Sequence, residues 1–191
     1  MPNPVADAGR RRSRGYTLLE LLLVVTILGI AATLLVPSLV GRDTYTVETV
    51  IRRLVADVTF AQSDAVAGQG YRRIWFDPEG GGWSVVRLDE NELGLPFDPQ
   101  TADFVRDPLA AGEGQAMSVD LGDQRRYGDV ELSNINIDGN RTWITFDPLG
   151  GTIADGGVPG TGGELVVRSQ NLTYRVRFEP FTGKVAVARA E

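Results

Sequence analysis

Cysteine and histidine are both absent from this 191-residue chain, and lysine occurs once, as Lys184, against 18 arginines. Without cysteine there is no disulfide framework and no thiolate metal site, and the compartment is left undetermined. Without histidine the chain loses the commonest general base and the commonest transition-metal ligand, and a serine–histidine triad is excluded. Net positive charge is missing too. The formal charge is −6, and residues 1–15 hold four arginines against one aspartate, so the rest of the chain is more acidic still. Bulk attraction to nucleic acid is therefore not expected. Gly156–Gly163 is glycine-rich but lacks the Gly-Lys-Ser/Thr ending of a phosphate loop. Asp89, Glu90 and Glu92 fit no EF-hand spacing and read as a solvated acidic turn. Arg72-Arg73 beside Tyr71 and Arg125-Arg126 beside Tyr127 read as surface arginines on strand edges rather than as a nucleic-acid patch. No metal and no cofactor is expected.

One long apolar run is present. It follows a polar, proline-containing start and a basic cluster, Arg10, Arg11, Arg12 and Arg14. After Gly15 and Tyr16 it continues for about 23 residues, enough to cross a bilayer as a helix. The cluster on its N-terminal side orients such a span with the N-terminus in the cytoplasm. The run carries a single charge, Glu20 near its start, and one proline, Pro37 near its end. A carboxylate in hydrocarbon costs about 2.5–3.5 kcal/mol even on lenient insertion scales, so it needs a partner. A plain anchor leaves Glu20 unexplained. A conventional signal peptide cut after Ala31 does so too, and it makes the apolar Leu34–Val40 segment a strange new N-terminus.

Beyond Gly41 the pattern changes. Val47, Val50, Ile51, Leu54, Val55, Val58, Ala61 and Ala65 follow helical i, i+3, i+4 spacing and form one apolar stripe. Glu48 and Arg52 are placed for an i, i+4 pair on the wet side, Phe60 lies off the stripe, and Gly68 and Gly70 end the element. Tyr16 to Ala67 reads as one long helix, apolar all round in its first half and amphipathic in its second, with Pro37 and Gly41 bending or loosening the junction. The amphipathic half needs a sheet to lie on. Tyr71–Asp77 and Trp83–Asp89 read as a hairpin, followed by strands at Val130–Ile137, Thr142–Asp147, Gly151–Ala154, Glu164–Ser169, Leu172–Glu179 and Lys184–Ala188. Alternation such as Leu172, Tyr174, Val176, Phe178 against Thr173, Arg175, Arg177 marks antiparallel, half-buried strands. Residues 90–129 read as a long loop with one short strand at Met117–Leu121. Phe76–Gly81 and Phe146–Gly151 share the pattern Phe-Asp-Pro-x-Gly-Gly, with Phe178–Gly183 a looser copy. It reads as a turn device in which proline presets one φ and glycine accepts a positive one.

The stretch Arg-Gly-Tyr-Thr-Leu-Leu-Glu-Leu resembles the class III signal of type IV pilins and pseudopilins. The resemblance implies cleavage by a prepilin peptidase between Gly15 and Tyr16, and N-methylation of Tyr16, which stands where the family usually has phenylalanine. Glu20 is then the fifth mature residue, the family's near-universal glutamate, and Pro37 its helix-kinking proline. Cleavage leaves a positive α-amine at Tyr16, which Glu20 of a neighbouring subunit can neutralise in low dielectric. The helix ending in Ala-Asp-Val-Thr-Phe-Ala-Gln-Ser-Asp-Ala-Val-Ala-Gly-Gln-Gly, the Gly-Gly-Trp turn and Thr182-Gly183-Lys184-Val185 are similar to the H-type minor pseudopilins of type II secretion and their fimbrial T-type relatives.

The implied fold is α+β, a pilin fold with a long N-terminal helix, transmembrane in its first half, packed on an antiparallel sheet or two-sheet head. The implied domains are a cleaved cytoplasmic leader (1–15), an assembly helix (16–40), an amphipathic helix (41–70) and a periplasmic β head (71–191). No enzymatic activity is implied. The implied partners are prepilin peptidase, other pseudopilins or pilins in a filament, and the inner membrane. Two alternatives stay open: a minor type IV pilin for pilus assembly or DNA uptake, and a membrane-anchored β domain that never polymerises.

Overall fold

The computed structural model describes residues 17–40, 42–108 and 115–190, with the side chains of residues 33–44 not included. It separates into two compact units, one ending at Gly41 and one beginning at Arg42.

The first unit is helix α1, Leu18–Val40. Thr17 Oγ1 accepts the Glu20 backbone N–H at 3.2 Å, relieving one of the orphan donors of the first turn. The Thr26 hydroxyl is satisfied within the helix, donating to the Leu22 carbonyl at 2.7 Å. Apolar side chains point outward all round, from Leu18, 88% exposed, to Ile30. Pro37 lies within the helical span. Among the described residues no helix is long and apolar enough to cross a membrane. Side chains of α1 are described only as far as Ala32, short of the roughly 20 apolar residues a span takes. The spanning expectation therefore rests on the sequence of the whole run.

The second unit opens with helix α2, Arg42–Gly68. Its stripe is the expected one: Val47, Val50, Ile51, Leu54, Val58, Ala61 and Ala65 are buried, and Val55 and Phe60 pack at the margin. Glu48 and Arg52 pair at 3.6 Å on the exposed side. The helix stops at a left-handed residue, but that residue is Gln69 (φ 47°), not a glycine. Gly70 N–H reaches back to the Ala65 carbonyl at 3.1 Å, which closes the last turn. The expected single helix from Tyr16 to Ala67 includes Tyr16 and Gly41, which lie outside the described residues.

Ten strands follow: β1 Tyr71–Phe76, β2 Gly82–Leu88, β3 Asp103–Phe104, β4 Ser118–Asp120, β5 Glu131–Ile137, β6 Trp143–Phe146, β7 Thr152–Ile153, β8 Gly163–Arg168, β9 Thr173–Phe178 and β10 Val185–Arg189. They form two antiparallel sheets. The first runs β3-β2-β1-β6-β7, with β4 also paired to β2, and the second runs β10-β9-β8-β5. Helix α2 lays its stripe on Ile74, Phe76, Ile144 and Phe146 of the first sheet and on Leu165, Val167, Val176 and Phe178 of the second, in one continuous core. Phe76 and Phe178, with ring centroids 6.1 Å apart, join the sheets. Each such buried side chain stabilises the head by about 1.5–3 kcal/mol. The fold is α+β.

The repeated turn works as expected in its first two copies. Gly80 N–H donates to the Asp77 carbonyl and Gly150 N–H to the Asp147 carbonyl, each at 2.9 Å. Both glycines sit at φ 82°, a region closed to most side chains. The looser third copy differs. Phe181 takes φ 60°, and Gly183 N–H closes a wider turn onto the Glu179 carbonyl at 3.0 Å.

The long loop is more structured than expected. Besides β4 it contains β3, an Arg106–Ala116 bridge and a short helix α3, Gln124–Tyr127. Segments of two or three residues have no periodicity of their own. They are strands because the outer edge of β2 offers them partners.

Candidate assembly site

The residues that the sequence singles out lie at the start of the chain. Gly15, Tyr16 and the cluster Arg10, Arg11, Arg12 and Arg14 fall outside the described residues. Glu20 is described, in the first turn of α1, with its side chain exposed. Among the described residues no cation lies within ion-pair distance of it. Pro37 shares the same helix, about 25 Å further along at 1.5 Å per residue.

The head holds its own charges differently. Asp57, on the core side of α2, is 2% exposed. Its carboxylate accepts the Trp83 indole N–H at 2.9 Å and pairs with Arg53 Nε at 2.9 Å, one helical turn back. Arg53 reaches on to Asp107 at 2.6 Å, so one guanidinium ties the helix to the segment after β3. Burial pushes the Asp57 carboxyl pKa up, against the Trp83 and Arg53 hydrogen bonds that favour its charged form. Burial opposes the charge on Arg53, but the Asp107 and Asp57 carboxylates more than offset it and raise its pKa.

Arg72 and Arg73 overturn the reading as surface arginines. They sit on β1, an interior strand between β2 and β6, and they point to opposite faces. Arg72 crosses to the Asp64 carboxylate on α2. Arg73, 2% exposed, donates to Thr145 Oγ1 at 3.0 Å, to the Leu95 carbonyl at 3.1 Å and to the Leu93 carbonyl at 2.5 Å. Its guanidinium also lies 5.0 Å from the Trp143 ring centre. Burial lowers its pKa to about 10; Asp155 and Glu92 oppose that shift and Arg141 adds to it. Phe97 stacks on Trp75 at 4.4 Å, so segment 89–104 is clamped onto the outer face of the first sheet. A cavity of about 120 Å³ remains beneath it, lined by Arg73, Arg87, Glu92, Phe97 and Asp103 among others.

These roles were missed from sequence. The only signal was spacing: Asp57 falls one turn after Arg53 and within the apolar stripe, and Arg73 alternates with Ile74 in a strand too apolar to be an edge. Arg125 and Arg126 do lie exposed, on α3. In the acidic turn, Glu92 accepts the Asp89 N–H at 2.8 Å. Among the described residues no three metal-ligating side chains converge.

Two family models match the chain. The prokaryotic N-terminal methylation motif covers residues 10–36. The type II transport protein GspH model covers residues 50–181, more than half of the chain. The chain belongs to the GspH family. Its role is that of a minor pseudopilin or pilin-like subunit, in a family of structural rather than catalytic proteins. Among solved structures, the type IV minor pilin FimU of Pseudomonas aeruginosa strain PAO1 is similar over 74% of this chain and 87% of its own, at 13% identity and a TM-score of 0.45. The minor pseudopilin EpsH from the Type 2 Secretion System of Vibrio cholerae is similar over 72% and 92%, at 8% identity and a TM-score of 0.44. No curated protein matches the chain. Membership of the GspH family rests on the match over residues 50–181.

Proposed function

We propose that this GspH-family chain is a minor pseudopilin of a type II secretion system, made as a precursor and assembled into a pseudopilus. Residues 1–15 are a cytoplasmic leader, and prepilin peptidase cuts between Gly15 and Tyr16 and methylates the new Tyr16 amine. Residues 16–40 hold the protein in the inner membrane with its head, 71–191, in the periplasm, until it leaves the bilayer for a filament of other pseudopilins. Residues 41–70 carry the helix into the head. Glu20 then meets the Tyr16 amine of a neighbour. Each charge is costly alone in low dielectric and each neutralises the other, so the pair sets the register of assembly. Pro37 adapts the helix to its neighbours. The protein's work is mechanical and it performs no catalysis.

The observation that carries this reading is the order of the two family matches on one chain: a methylation motif over the basic cluster and apolar helix, then a GspH head. Intact-mass analysis of the protein from cells with active prepilin peptidase tests it. The expected mass is that of residues 16–191 plus one methyl group. A chain still beginning at Met1 would overturn it. Deleting the gene tests the finer assignment, with loss of exoprotein secretion and normal pili as the expected result.

A further inference from the structure

Sheet edges are templates for pairing with another chain, and proteins normally blunt them. In this head the edges differ sharply. The first sheet ends in β3 and β7, of two residues each, and β4 has only three. The β5 edge of the second sheet is broken by a register shift between Ser133 and Asn136, carries Asn134 at φ 49°, and spends its Leu132 N–H on the Gly80 carbonyl. Among the described residues β10 alone is uninterrupted. It has five residues, Val-Ala-Val-Ala-Arg, paired with β9 on one side only.

Which backbone groups are open follows from the ladder. The Lys184 carbonyl accepts from Glu179 N–H and the Ala190 N–H donates to the Thr173 carbonyl, both at 2.9 Å. In an antiparallel pair the residues alternate, so positions 184, 186, 188 and 190 face β9. Val185, Val187 and Arg189 turn their N–H and C=O groups to the open side. Val187 is 41% exposed.

The charges around this edge favour one kind of strand. Ala186 and Ala188 sit beside Arg177 and Arg175 of β9, and their small side chains leave both guanidinium groups within reach of a neighbour. Those arginines hold Glu179 and Glu164 only at 3.7 Å, in exposed pairs that contribute little. Lys184 and Arg189 bracket the strand, and neither has a carboxylate within 4 Å among the described residues. A second copy of β10 would set these cations against themselves.

We propose that the open edge of β10 is a docking site for an extended, acidic segment of another protein, added as an antiparallel fifth strand of the second sheet. Backbone hydrogen bonds at Val185, Val187 and Arg189 supply the pairing, and Lys184, Arg175 and Arg177, which share one face of the sheet, select for carboxylates.

The test uses the full chain in detergent micelles and two acetylated seven-residue probes, one alternating threonine and valine with glutamate, the other with lysine in place of glutamate. Hydrogen exchange is followed at the β10 amides. The glutamate peptide should slow exchange at Val185, Val187 and Arg189 about tenfold or more, while the lysine peptide does not. Val187→Pro removes only an outward N–H, which an edge strand tolerates, so it should abolish peptide binding while leaving the melting temperature near wild type. Ala186→Pro removes a bond to β9 and should lower that temperature. If Val187→Pro fails to fold, the double charge reversal Arg175→Glu with Arg177→Glu carries the test and should invert the peptide preference. No slowing at millimolar glutamate peptide, equal slowing by the lysine peptide, or equal slowing in folded Val187→Pro would overturn the proposal.

Discussion

The two units handle the same ingredients in opposite ways. In the head, apolar side chains of α2 are buried against two sheets, and the buried charges Asp57, Arg72 and Arg73 all have partners within the chain. In α1, leucines and isoleucines stand exposed, and Glu20 has no cation within ion-pair distance among the described residues. The head is complete as a single chain, whereas α1 reads as half of something. A helix apolar on every side is stable only where other apolar matter surrounds it, and a lone carboxylate in such surroundings takes a cationic partner. Mutations should therefore separate cleanly into those that disturb folding and those that disturb assembly.

Glu20→Ala should show the largest effect and only on one side. On the proposed pairing, filament incorporation should fall by about tenfold or more, because the neighbour's amine would be left unpaired. Leader removal and the head's melting temperature should stay as in wild type. Normal incorporation, measured by cross-linking or by recovery in sheared filaments, would refute the charge-pairing account.

Asp57→Ala should do the reverse. It leaves Arg53 and the Trp83 indole N–H without their shared acceptor and should cost about 3 kcal/mol of head stability in urea unfolding. The acid dependence follows from the raised pKa. A carboxyl whose folded pKa lies above its unfolded one contributes stability that is complete below the unfolded value. That contribution is lost as pH rises through the folded value. Asp57→Asn keeps an acceptor for Trp83 and should flatten the stability profile in the acidic range just above pH ~4.

Arg73→Met comes next, at about 2 kcal/mol, since it strands the Leu93 and Leu95 carbonyls and Thr145. Its clearer signature is local. Segment 89–104 should become open to proteolysis while α2 keeps its hydrogen-exchange protection.

What could be read from sequence divides along physical lines. Periodicity and turn signals placed α2 and nine of the ten strands, because a half-buried helix or strand writes its burial into its own spacing and turn residues bound the short ones. The Phe-Asp-Pro-x-Gly-Gly turns were legible because a positive φ restricts residue choice. β3 was not, since it depends on a partner strand distant in sequence, and α3 and the stop at Gln69 were not, since four residues and one left-handed residue leave no period to read. Arg73 was misread for a related reason. The face that Arg73 shares with Trp75 looks wet until segment 89–104 closes over it. The candidate assembly residues were legible as a motif alone, because the contacts proposed for them are with other molecules.

Arg52→Ala should show the smallest effect, and it calibrates the rest. Its partner Glu48 lies one turn away at 3.6 Å, and the Arg52 side chain is largely exposed. Water already solvates both charges, so the pair is worth about 0.3 kcal/mol at most. Urea unfolding at low and at high salt should barely distinguish the variant from wild type, and the small difference should vanish in salt as screening sets in. If this change cost as much as Asp57→Ala, burial would not be what sets the value of the head's ion pairs. The contrast between a self-contained head and an incomplete helix would then lose its physical basis.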